Sequence, residues 1–118
     1  MITQREILND AWDVLIVLDA ARADYTIEMD GRFRPCRALG GITPYWCKRL
    51  WDLVDEPLLH LAANPIVAKH HNPEHWPHVR VVDLTEDYWQ ERQGLHFVAP
   101  EDVSRVAREM IPRARGRV

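Results

Sequence analysis

Cysteine is scarce: Cys36 and Cys47 are the only two in 118 residues. Two thiols are too few for a disulfide framework, and both are expected to be reduced. The opening Met1-Ile2-Thr3-Gln4-Arg5-Glu6 carries an acid and no apolar core, so it does not read as a secretion signal, and a cytoplasmic chain is expected. No apolar run is longer than Val14 to Leu18, whereas a membrane span needs ~20 residues. Repeats, low-complexity tracts and Gly/Ser linkers are all missing, so residues 1–118 are expected to form one domain. A composition of 47 % hydrophobic and 28 % charged residues excludes the disordered class.

The net charge of −3 is unevenly spread. Residues 51–102 hold ten acids against Lys69, Arg80 and Arg92, whereas residues 103–118 carry five arginines against Glu109. A basic end of this kind reads as a solvated helix face running into the terminus, and nucleic acid is not a leading partner.

What the chain does contain is an alternation of strand-like and helix-like segments. Asp13-Val14-Leu15-Ile16-Val17-Leu18 is an unbroken aliphatic run that suits a strand buried on both faces of a parallel sheet. A helix is expected after Asp19, ending at Gly31, with a short second strand in Phe33–Leu39. Thr43-Pro44 reads as the cap and first residue of a helix whose apolar face is Trp46, Leu50, Leu53 and Val54. Leu58–Ala63 and Val79–Leu84 read as further strands, Lys69–His78 as an irregular connection, Glu86–Arg92 as a short helix and Pro100–Met110 as the final helix. The fold class predicted is α/β, a mainly parallel sheet flanked by helices. Ligands of such sheets bind at the carboxyl ends of the strands, which directs attention to Asp19 and the loop before Thr43.

Asp19 has two uses there: a carboxylate that holds a divalent cation, or a cap for the following helix. Thr43 likewise either caps its helix or acts as a nucleophile where the helix dipole favours a phosphoryl or sulfuryl group. Gly40 and Gly41 would let the backbone approach such a ligand. His70, His71, His75 and His78 crowd one segment, but Pro73 and Pro77 break any helix that would align them as zinc ligands. They read as surface histidines in a polar loop. Cys47 reads as a packing residue beside Leu50, and Trp46, Trp51, Trp76 and Trp89 as core or loop anchors.

Residues 13–25, with Asp19, Arg22 and Asp24 after an apolar run, resemble the opening strand and helix of sulfatase-like members of the alkaline phosphatase superfamily. Gly40-Gly41-Ile42-Thr43-Pro44-Tyr45-Trp46 is similar to the nucleophile motif of the same proteins, and Leu58 to Pro65 to a later strand ending in an Asn-Pro turn. The resemblance implies an alkaline phosphatase-like fold, Thr43 as catalytic nucleophile and Asp19 as metal ligand. It also implies a divalent metal (Zn, Mn, Mg or Ca), here weakly held. The family's remaining ligands, Asp-His pairs and another His, have no match in this chain. The expectation is therefore a shortened sulfatase-like protein, non-catalytic alone, that binds a partner protein or a second copy of itself. A metal-dependent phosphate- or sulfate-ester hydrolase using Thr43 is the alternative. The surface expected to mediate self-association is Val79–Leu84 with Val103–Ile111.

Overall fold

A computed structural model describes residues 1–17 and 23–118 of the chain. In chain order the elements are α1 (Gln4–Leu8), α2 (Ala23–Met29), α3 (Thr43–Leu53), β1 (Leu58–Ala62), α4 (Pro65–His70) and β2 (Val79–Asp83). They continue with α5 (Thr85–Tyr88), β3 (Trp89–Arg92), β4 (Leu95–Val98) and α6 (Pro100–Met110), and a 3₁₀ turn over Ile111–Arg113 follows. The protein is a small α/β structure with, among the described residues, one parallel and one antiparallel strand pair.

β1 and β2 pair in parallel, Leu58 opposite Val79 and Ala62 opposite Asp83. Both are aliphatic-rich, and the connection between them holds α4, which supplies the crossover that parallel strands require. Asn64 starts that helix, its Oδ1 accepting from the Ile66 amide at 3.0 Å, so Asn64-Pro65 opens a helix rather than closing a strand in a turn.

A third line of the parallel sheet comes from the end of the chain. The Arg117 amide donates to Pro57 O (3.0 Å) and the Leu59 amide to Arg117 O (2.9 Å), while the Val118 amide donates to Asp13 O (3.0 Å) and the Leu15 amide to Val118 O (2.8 Å). The tail thus lies between the 13–15 segment and β1 and runs parallel to both. Arg117 fastens it further, with its guanidinium 4.7 Å from the Trp12 ring and 2.9 Å from the Glu56 carboxylate. Gly116 is needed here: a Cβ on it would sit 2.0 Å from Pro57 O.

Two apolar clusters hold the elements. The larger joins Leu8 of α1, Cys47, Leu50 and Trp51 of α3, Leu58 and Ala62 of β1, and Val67, Trp76 and Val79. Trp51 is wholly buried, so α3 buries a wider face than the four positions expected of it. The smaller cluster packs Val106 of α6, flanked by Val103 and Met110, on Leu84, Val98 and Val82. The spacing of 103, 106 and 110 follows one helical face, and Glu101 and Asp102 at the helix start with Arg108 near its end suit the helix dipole.

Several expectations are corrected. Val14–Val17 forms no ladder strand and is not buried on both faces: Ile16 is 80 % and Val17 56 % exposed. Its only backbone partner among the described residues is the two-sided tail, and Leu18 lies outside them. Phe33–Leu39 is no strand either; it contributes a single parallel bridge, Arg37 to Thr3. Glu86–Arg92 is helical only to Tyr88, after which β3 and β4 form an antiparallel hairpin. The hairpin turns at Gln93 (φ 53°) and Gly94 (φ 78°), two left-handed residues that match the twist of the strands. Of the β2 and α6 residues expected to self-associate, Leu84 and Val106 are buried in the smaller cluster and Val82, Val103 and Met110 pack against it.

The tail's seat yields a direct stability test. Gly116→Ala forces Cβ into Pro57 O and is expected to cost about 1–3 kcal/mol, as overpacking does. Gly31→Ala, with nothing within 4 Å of the new Cβ, is expected to be neutral or slightly stabilising. Urea midpoints of the two variants check this, and equal midpoints would contradict the seat.

Candidate functional site

Thr43 begins α3, the eleven-residue helix that carries Trp46, Cys47, Leu50 and Trp51 into the core. It is half-buried and helical, and the cap position falls on Ile42 (φ −133°, ψ 155°), which offers no side chain to the free amides. Thr43 is therefore not the cap expected from Thr43-Pro44. Among the described residues no side chain hydrogen-bonds its hydroxyl. Asp19, the expected metal ligand, lies outside the described residues, as does Arg22, and Asp24 falls in the first turn of α2.

Gly40 has a packing reason rather than a ligand one. A Cβ there would lie 2.9 Å from the Trp46 amide nitrogen, so the chain crosses the first turn of α3 at a distance only glycine allows. Gly41 faces open space. The loop's position is fixed by Gln4, whose Oε1 accepts from both the Leu39 amide and Trp46 Nε1 at 2.8 Å.

The histidines gather where the sequence did not place them. Trp51 Nε1 donates to His60 Nδ1 at 3.1 Å, His71 lies edge-on to the Trp51 ring with centroids 5.1 Å apart, and His78 Nε2 donates to the Trp51 carbonyl at 2.9 Å. Trp76 packs on Trp51 at 5.1 Å and donates through Nε1 to Asp52 Oδ1 at 2.7 Å. His71 and His78 are thus half-buried packing groups, and only His75 matches the exposed loop histidine expected, its side chain 64 % exposed. Among the described residues no three His, Cys, Asp or Glu side chains are grouped to hold a metal ion.

Burial, and second the neighbouring His71, push the His60 pKa down to about 4. The hydrogen bond gives the same sign, because a protonated Nδ1 would set a second donor against Trp51 Nε1–H. The nearby Cys47 thiol, 2 % exposed, is pushed up to about 11 by burial, so it stays protonated and acts as a packing group, as its place beside Leu50 led us to expect.

Two surface features lie outside the sequence reading. An open cleft of ≈ 600 Å³ is lined by Thr3, Arg5, Arg37, Leu39, Arg49 and Asp52. A smaller groove of ≈ 220 Å³ is lined by Gln4, Ile7, Leu8, Leu15–Val17, Cys36 and Trp46. Exposed Ile7, Val14, Ile16 and Val17 make its rim apolar. The signal in the sequence is the aliphatic run Val14–Val17 itself, whose composition suits a core strand and an exposed apolar surface alike. Comparisons with protein families, with curated proteins and with solved structures find no match.

The buried histidine makes stability pH-dependent. The unfolded His60 protonates near its ordinary pKa of about 6.5, the folded one only near 4. Between those values the unfolded state binds more protons, so stability falls as pH falls through the window. From pH 7 to 5 the His60 contribution is expected to drop by about 2 kcal/mol. His60→Gln, which keeps an acceptor for Trp51, is expected to flatten the urea-stability profile by that amount; parallel profiles would contradict it.

Proposed function

We propose that this chain is a shortened sulfatase-like protein with the N-terminal part of an alkaline phosphatase-like fold, which binds a second copy of itself and is non-catalytic alone. The observation that carries the binding reading is the apolar rim on the N-terminal side. Ile16 (80 % exposed), Val17 and Ile7 stand around a groove floored by Leu8, Leu15 and Trp46. Contiguous exposed apolar surface of this kind marks interaction sites on soluble domains. Among the described residues no arginine, lysine or acid lines the groove, so the lining seen calls for apolar complementarity in a partner rather than charge. A second copy supplies that complementarity by presenting the same rim in a self-complementary pair.

The non-catalytic half of the proposal is supported by the surroundings of Thr43. A threonine hydroxyl is a weak nucleophile without a base or metal beside it, and no described side chain hydrogen-bonds this one. The crowded histidines are engaged with Trp51, His60 as acceptor and His78 as donor. A divalent metal would have to be held by Asp19 with ligands from elsewhere, hence weakly.

Light scattering at high micromolar concentration is expected to give a dimer mass that falls to the monomer mass in Ile16→Asp, with the unfolding midpoint unchanged because Ile16 is exposed. A monomer mass throughout would contradict self-association. Supplied with zinc, manganese, magnesium or calcium, the chain is expected to hydrolyse simple phosphate and sulfate esters no faster than Thr43→Ala. Turnover abolished by both Thr43→Ala and Asp19→Ala would establish the hydrolase alternative instead.

A further inference from the structure

The open cleft of ≈ 600 Å³ brings together three arginines and one acid from distant parts of the chain. Arg5 comes from α1, Arg37 from the segment bridged to Thr3, and Arg49 and Asp52 from one face of α3. Three cations against one carboxylate leave two positive charges over. The chain as a whole is acidic, at −3, so this excess is local. Ala38, Leu39 and Leu53 add apolar lining.

The charges are not neutralised within the protein. Among the described residues neither Arg5 nor Arg37 makes a side-chain hydrogen bond or an ion pair. Arg49 stands three residues before Asp52 on α3, the spacing of a helical ion pair, yet its Nη1 donates to the Leu39 carbonyl at 2.6 Å. A neutral acceptor leaves the guanidinium charge uncompensated and its other donors available. Asp52 turns one oxygen, Oδ1, to Trp76 Nε1 at 2.7 Å and to His75 Nε2 at 3.9 Å, and its Oδ2 has no partner among the described residues.

The walls are fixed by hydrogen bonds. Arg37 is bonded on both sides, its amide to Ile2 O and its carbonyl to the Gln4 amide, each at 2.9 Å. Gln4 Oε1 then ties the Leu39 amide to Trp46 of α3. Arginines carried on a preformed scaffold lower the ordering cost of binding an anion between them.

The number of guanidiniums selects the anion. A carboxylate has two oxygens, which one guanidinium satisfies, whereas a phosphoryl group presents three oxygens and up to two charges to donors from several directions. Asp52 repels a bare phosphate but accepts from hydroxyls, and it lies about 4.5 Å further along α3 than Arg49. The volume is that of a small-molecule site.

We propose that this cleft binds a phosphorylated sugar, free or as part of a nucleotide, with its phosphoryl group among Arg5, Arg37 and Arg49 and its hydroxyls on Asp52. The site lies apart from the hydrolase alternative, since Thr43 is not in its described lining and begins α3 about 9 Å along the axis before Arg49. It also goes beyond self-association: the cleft and the apolar groove share no described lining residue, and the two readings fail separately.

The probes are ribose 5-phosphate and adenosine 5′-monophosphate, titrated calorimetrically at low ionic strength beside inorganic phosphate and ribose. The expected result is one-site saturation by both phosphorylated sugars, about tenfold tighter than inorganic phosphate, and no binding of ribose. Tighter binding of the adenosine compound identifies a nucleotide, equal binding a free sugar phosphate. Arg37→Gln, at an exposed position, is expected to weaken binding at least about tenfold, while Arg108→Gln on α6, outside the cleft, leaves it unchanged. Asp52→Asn keeps an acceptor for Trp76 Nε1 and is expected to narrow the preference for ribose 5-phosphate over inorganic phosphate. Absence of saturation, no effect of Arg37→Gln, or an equal loss in Arg108→Gln would overturn the site. An unchanged preference in Asp52→Asn would overturn the placement of the sugar.

Discussion

Four backbone hydrogen bonds made by Arg117 and Val118 join the two ends of the chain to its middle. Without them, among the described residues, β1 has a ladder partner only on its β2 side and the 13–17 segment loses its backbone hydrogen bonds to the sheet. The seat is specified by sequence as much as by backbone. Gly116 is the residue that fits against Pro57, and Arg117 reaches both Glu56 and the Trp12 ring. One arrangement therefore accounts for the order of the parallel lines.

A second constraint organises the other face of β1. Trp51 is fully buried, and a ring of polar aromatic groups closes over it: His60 from the strand, His71 and His78 from the connection after α4, and Trp76 with its bond to Asp52. The histidines serve packing, His60 by accepting from Trp51 Nε1 and His78 by donating to the Trp51 carbonyl. That use explains why a segment rich in histidine gathers without forming a metal centre among the described residues. The acid sensitivity of His60 follows from the same burial.

The sequence was legible where local pattern and tertiary packing agree. Leu58–Ala62 and Val79–Asp83 are aliphatic, flanked by turn residues and paired in parallel as expected, and Pro100 and Met110 bound the last helix. It misled where a pattern has two outlets. The run Val14–Val17 reads as a core strand because aliphatic residues are equally suited to a core and to an interface, and only the position of the tail separates the two. The hairpin was missed because Glu86–Arg92 has helix-forming composition; Gln93-Gly94, a pair suited to positive φ, was its available signal. The histidines were misplaced because prolines in their segment suggested exposure, while their anchor, Trp51, sits twenty residues earlier in the chain. Of the two site residues singled out, Thr43 stands at the start of α3 but is not its cap, and Asp19 lies outside the described residues.

The central claim is that the tail is a built-in line of the parallel sheet, and native-state hydrogen exchange tests it most directly. The account predicts that the amides of Leu15, Leu59, Arg117 and Val118 exchange slowly and open together, since each donates across the seat. Exchange of these four at unprotected rates, while the β1–β2 ladder stays protected, would contradict it.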